Sequence, residues 1–168
     1  MPEAKYQPYR FSADLDKLDE NKFVVIKLGF FWHSLKGMWE FWHYNQLVQA
    51  STKRGTEIGL YHTEYFLYSQ NHAGFIQYWR SFKDLENWSR RSPEHLAWWR
   101  EMEQSNKWKD MSAYHEVFLV EKAAVETIYN LPHSMKPKDY PGLAHFLPHL
   151  TNASYRARER FLKDPDPS

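Results

Sequence analysis

An α+β fold with one hairpin-containing sheet is what this sequence predicts, and three observations carry the prediction. The run FVVIKLGFFW (23–32) is apolar on both of its faces, as a central strand must be when each face is covered. The run FIQYW (75–79) is aromatic and β-branched and leads straight to Ser81, with Asp84 three residues on, the S-x-x-D signal that starts a helix. Strand-like and helix-like segments then follow the order strand, helix, strand, strand, helices, strand, which is the ferredoxin-like β-α-β-β-α-β arrangement.

Taken in order, residues 1–22 are polar, hold Pro2 and Pro8 and end in DLDKLDENK, so they read as an N-terminal tail. Ser34 can cap a helix in which Leu35, Met38, Trp39, Trp42, Gln46 and Ala50 form one stripe, closed by Lys53, Arg54 and Gly55. IGLYHTEYFLYSQ (58–70) is a strand by its Tyr, Phe and Thr content, and Gln70, Asn71 and His72 favour a turn before the hairpin returns at Gly74. Beyond Ser81, Phe82, Leu85 and Trp88 recur at helical spacing. Pro93 then opens a second helix that sets Leu96, Trp99 and Met102 on one face. SNKWKDMS (105–112) connects to AYHEVFLVEK (113–122), the last strand of the sheet, and residues 124–131 read as a further strand or arm. Past Pro132 a Pro- and His-rich stretch reads as a surface loop, NASYRARERFLK (152–163) as a short basic helix and DPDPS as a disordered end. The boundaries expected are a tail over 1–22, a core domain over 23–132 and a partly disordered extension over 133–168.

A chain of 168 residues can bury one core of its own. Lys+Arg 22 against Asp+Glu 21 leaves a net charge of +1, too weak a field for a nucleic-acid partner. With 0 Cys, disulfides, thiolate metal sites, thiol nucleophiles and iron–sulfur clusters are excluded together. No apolar signal core opens the chain, so a cytoplasmic location is expected. Lys27, His33, Lys36 and Glu40 interrupt the most apolar window, so stable membrane insertion is not. Aromatics reach 18%, including 8 Trp, more than a small core uses, which leaves rings for a cavity or a dimer face. No G-x-S-x-G, P-loop or dinucleotide fingerprint is present.

The runs QYWRSF, DLENW and HLAWWR, with YHEVFLVE (114–121) and VETIYNLP (125–132), resemble the antibiotic-biosynthesis monooxygenase superfamily of small dimeric α+β barrels. They are most similar to its branch that includes the monooxygenase of the fumagillin pathway, over roughly residues 23–132. The resemblance implies a homodimeric barrel in which two ferredoxin-like sheets pack face to face, which two-sided apolarity in 23–32 would serve. It also implies a cavity between sheet and helices, lined by a Trp at the end of the second hairpin strand, here Trp79, and chemistry without flavin or metal.

A four-residue hairpin loop (70–73) would pair Glu64 with Trp79 and Phe66 with Gln77, setting His62, Glu64, Phe66, Gln77 and Trp79 on one face. A loop one residue longer or shorter sends one strand's set to the other side. On that face His62 with Glu64 makes an acid–base pair, and Phe66, Gln77 and Trp79 contact substrate; alternatively Glu64 meets a Lys or Arg across the sheet and His62 is half exposed. His115 and Glu116 match the His-Glu of the family's last strand. Being adjacent, they face opposite sides, so one at most enters the cavity: Glu116 as a further catalytic carboxylate or His115 as a substrate contact. Either could instead hold the strand to Tyr129 or Asn130.

His95 stands one helical turn before Trp99, and both are expected to touch substrate. In haem-dependent relatives a helical His ligates iron, and His95 is the one residue to match it. Nothing else in the sequence supports haem, a first-turn His after Ser-Pro also serves as a half-exposed polar residue, and no cofactor is expected. His133, His145 and His149 lie close together, yet Pro148 breaks the helix that the spacing of the last two would need, so no metal site is expected.

The function these readings favour is a cofactor-independent, monooxygenase-like enzyme of secondary metabolism acting on a hydrophobic polyketide or terpenoid. His62 or Glu64 would remove a proton, O₂ would take an electron from the carbanion, and Gln77 and Trp79 would donate to the developing oxyanion. The alternatives are a non-oxidative cyclase, isomerase or dehydratase in the same cavity, and a non-catalytic ligand-binding dimer.

Overall fold

In the computed structural model, which describes residues 9–55, 58–104, 107–132 and 135–151, the chain folds as two units, Lys22–Val120 and the pairing of Met1–Asn21 with Glu121–Ser168. The first strand, β1 (Tyr9–Ala13), belongs to the second of these. The larger unit runs β2 (Lys22–Trp32), α1 (Leu35–Gly55), β3 (Leu60–Ser69), β4 (His72–Trp79), α2 (Phe82–Arg91), α3 (Pro93–Gln104) and β5 (Met111–Glu121). Its sheet has the order β3-β4-β2-β5. This is an α+β fold with ferredoxin-like order and connectivity, and the doubly apolar β2 holds an interior position, as its composition required.

Side-chain caps start the helices where the sequence placed them. The Ser34 hydroxyl accepts from the Gly37 N–H at 3.0 Å and the Ser81 hydroxyl from the Asp84 N–H at 3.1 Å, each satisfying a donor that the first helical turn leaves open. The helices bury one face of the sheet. Phe30 and Phe75 from the strands meet Phe41 and Tyr44 of α1 and Trp98 and Met102 of α3 in one cluster. Val24, Leu60 and Trp79 meet Leu85 and Trp88 of α2 in a second. A fully buried side chain of this size contributes about 1.5–3 kcal/mol.

Two helical faces differ from the sequence reading. On α1 the expected stripe is the solvent side: Leu35 is 82% and Trp39 75% exposed, and Trp42 is exposed as well. Gly37, Phe41, Tyr44, Val48 and Ser51 turn inward instead. The helix carries two apolar stripes, and Gly37 decides between them, because a Cβ there would lie 2.0 Å from the Asp110 carbonyl oxygen. On α3 the buried line is Trp98 and Met102, with Leu96 and Trp99 half-buried beside it.

The hairpin register also departs from expectation. Glu64 pairs with Ile76 rather than Trp79, a displacement of three residues, and Phe66 pairs with Gly74 rather than Gln77. An odd displacement exchanges faces. Two causes add to it: the turn is Gln70 and Asn71 alone, two residues shorter than expected, and Tyr68 is extra between Leu67↔Ala73 and Ser69↔His72; Tyr61 is extra only further along, between Leu60↔Trp79 and His62↔Tyr78. At the turn, Asn71 accepts from the Ser69 hydroxyl at 3.0 Å and from the Trp32 N–H at 3.1 Å.

In the smaller unit β1 lies between β6 (Tyr129–Leu131) and β7 (His149–Thr151), antiparallel to both. Residues 9–13 are therefore a central strand where a tail was expected, and Tyr129–Leu131 is a strand within its own chain. Phe11, Leu131 and Ala144 form its core, with the Tyr129 ring stacked on Phe11 at 5.0 Å. The stretch expected as a loop past Pro132 contains α4 (Leu143–Phe146) and β7. The expected helix at 152–163, the DPDPS end and His133 lie outside the described residues. Among the described residues, no helix is long and apolar enough to cross a membrane.

Candidate functional site

Between the covered face of the sheet and the helices lies a cavity of about 430 Å³, a size suited to a small organic ligand. Ile26 and Leu28 of β2 and Phe75 and Gln77 of β4 form its floor; Leu85 and Trp88 of α2 and His95, Trp98 and Trp99 of α3 form its roof. His115 and Val117 of β5 close one side. Alternation along β5 explains why His115 enters and Glu116 does not.

His95 is the chemically distinctive group in this lining, and its state follows from the local sequence. The Ser89 carbonyl sits four residues before Pro93, which has no N–H to return, so the helical bond to that carbonyl cannot form. His95 Nδ1 takes the place of the missing donor at 2.8 Å. A carbonyl only accepts, so Nδ1 carries the proton and Nε2 presents its lone pair. Burial pushes the imidazole below its ordinary pKa, partly opposed by the bond to Ser89. The rings of Trp88, Trp98 and Trp99 stand around it, with centroids 5.1, 5.9 and 6.4 Å away. A neutral imidazole of fixed tautomer in an aromatic chamber can accept a proton.

Gln77, 1% exposed, is the second polar group of note. Its Oε1 accepts from the Trp79 indole N–H at 3.1 Å, and its Nε2 lies 3.4 Å from Thr63 Oγ1. The Trp79 donor is thus spent within the protein. Its ring belongs to the core cluster with Val24, Leu60, Leu85 and Trp88 and does not line the cavity, contrary to the expectation for the strand-end Trp.

Of the residues singled out from sequence, Gln77, His95, Trp99 and His115 come together in this cavity. His62, Glu64 and Phe66 fall on the opposite face of the sheet, in register with Tyr78, Ile76 and Gly74, so the expected grouping with Gln77 and Trp79 does not form. On that same opposite face Glu116 lies 3.9 Å from Lys27. Trp88 and Trp98 also line the cavity, although the sequence marks Trp88 only as part of a helical stripe and gives Trp98 no signal of its own. Pro93, four residues after Ser89, was the signal for the His95 tautomer. Among the described residues, no group of three or more His, Asp or Glu side chains is placed to hold a metal ion.

The family model for Monooxygenase af470-like proteins matches residues 23–136. No curated protein matches the chain significantly. Among solved structures, an aldoxime dehydratase superposes with a TM-score of 0.58 at 18% identity, over 96% of this chain and 46% of its own. Another aldoxime dehydratase, in complex with butyraldoxime, gives a TM-score of 0.51 at 18% identity, over 71% of this chain and 37% of its own. SnoaB, a cofactor-independent oxygenase from Streptomyces nogalater, gives 0.41 at 10% identity, over 61% of this chain and 95% of its own. The chain spans less than half the length of either aldoxime dehydratase, and at this identity the likeness is one of fold.

Proposed function

Because the chain belongs to the Monooxygenase af470-like family, we propose that it is a cofactor-independent monooxygenase of secondary metabolism, acting on a hydrophobic polyketide or terpenoid substrate held in the aromatic cavity. The observation that carries this reading is His95, a half-buried neutral base whose proton sits on Nδ1 and whose Nε2 lone pair is left for chemistry. Carbanion chemistry with O₂ needs little else from the protein: one base, a dry apolar chamber and a way to hold the substrate.

The substrate that suits such a site has a methylene made acidic by flanking carbonyl or aryl groups. Nε2 removes one proton; the carbanion passes one electron to O₂, and the carbon radical and superoxide join as a peroxide. Loss of the second C–H proton breaks the O–O bond, leaving a carbonyl, and the departing hydroxide takes the first proton back as water. One oxygen atom enters the product, the other leaves as water, and no external reductant is consumed. Turnover of activated methylene compounds under ¹⁸O₂ should place one labelled atom in the product. Turnover that persists without O₂ would instead identify a non-oxidative isomerase or dehydratase in the same cavity.

We also propose that the uncovered sheet face joins two copies. Phe31 stacks on His72 at 3.9 Å, and His72 Nε2 lies 3.0 Å from the Tyr114 hydroxyl. The Lys27 ammonium sits 5.4 Å from the Tyr68 ring centroid and 5.7 Å from that of Tyr114. Tyr68 at 57% and Phe118 at 49% exposure leave an aromatic surface that a second sheet would cover.

A further inference from the structure

Buried amides are ambiguous, since a glutamine can turn either its oxygen or its nitrogen toward a ligand. At Gln77 a neighbour removes the ambiguity. The indole N–H of Trp79 can only donate, so the amide atom 3.1 Å from it must be the oxygen. Turning the amide over would set donor against donor at a buried position and leave the indole N–H without its acceptor. The amide nitrogen therefore lies on the Thr63 side, 3.4 Å from Oγ1. That contact uses one of its two hydrogens and leaves the second, in a side chain that lines the cavity. Trp79 is itself held fast: it is wholly buried, with its ring centroid 5.4 Å from that of Trp88.

We infer that Trp79 is a positioning residue that keeps Gln77 an obligate hydrogen-bond donor, so that the cavity selects a substrate with an oxygen acceptor, a phenol or an enolisable ketone. Such an oxygen gains negative charge when the adjacent proton leaves, and a donor fixed beforehand favours the anion over the neutral form. The inference deepens the proposed reading of the same site and rests on it for turnover, but the selection of an oxygen anion can be measured without turnover.

The probe is 4-nitrophenol, whose phenolate absorbs in the visible, so that its ionisation in the cavity is read directly by titration of the complex. Trp79→Phe keeps a ring in the core but releases the amide, and Gln77→Met keeps the volume but removes the donor. Each should raise the pH at which the bound probe ionises by about one unit relative to wild type. Thr63→Val, which leaves the Trp79 bond in place, should not raise it. Thermal melts establish that each variant is folded, and Gln77→Met decides the question if Trp79→Phe is not. Equal ionisation in wild type and Gln77→Met, or no saturable binding of the phenol to wild type, overturns the inference. If the probe responds as expected while no labelled oxygen enters any product, the oxygenase reading fails and the donor assignment stands. If label enters but the probe ignores both positions, the donor assignment fails alone.

Discussion

His95 shows how a single side chain can be set by chain chemistry one turn away. Its proton is placed on Nδ1 by the Ser89 carbonyl that Pro93 leaves without a donor, and burial holds the ring neutral. The sign of the pH dependence follows. A histidine whose pKa is lowered on folding binds fewer protons in the native state than in the unfolded chain. Stability is therefore unaffected above the ordinary imidazole range, near 6.5, and falls as pH drops below it. His95→Gln should flatten that acid limb in denaturation curves measured between pH 7 and 5. The same substitution should lower kcat by roughly 10²–10⁴-fold in the ¹⁸O₂ assay, the usual span for a lost general base. The position was legible in the sequence as a cavity residue. Its protonation was legible only through Pro93, because the partner is a backbone carbonyl, which carries no residue identity.

At the scale of elements, the order of strands and helices and the caps at Ser34 and Ser81 could be read from the chain, because each depends on a few adjacent residues. The faces of β3 could not, because Tyr68 is inserted where no turn residue marks it. That one extra residue moves every side chain beyond it across the sheet, which parts His62 and Glu64 from Gln77 and Trp79. The inward stripe of α1 escapes the sequence for a different reason: close contact at Gly37 outweighs the number of apolar residues on the other side. Glycines at strand crossings give a direct test of such contacts. Gly29 and Gly74 are paired across β2 and β4. A Cβ at Gly29 would lie 2.5 Å from the Tyr114 ring, whereas at Gly74 it would lie 2.1 Å from the Leu28 carbonyl oxygen. A ring can swing aside and a backbone in a central strand cannot. Gly74→Ala should cost about 1–3 kcal/mol in chemical denaturation, and Gly29→Ala clearly less.

At the scale of the larger unit, the sheet sets His95, Gln77 and the tryptophans on one face and the Lys27, Tyr68, Tyr114 and Phe118 surface, the proposed dimer face, on the other. Carboxylates introduced together as Tyr68→Asp and Phe118→Asp should convert a dimer to a monomer in light scattering, since a sheet-to-sheet contact would have to bury both charges. A retained dimer would place the contact elsewhere. The smaller unit has a property of another kind. Arg10 of β1 bonds to Asn130 across a separation of 120 residues, and β7 lies further along still. During synthesis β1 leaves the ribosome long before either strand that will flank it exists, while Lys22–Val120 has all its own strands in hand earlier. In pulse-labelled hydrogen exchange of the refolding chain, the Phe11 amide should therefore gain protection after those of β2 and β4. A strand made early thus waits for partners made late.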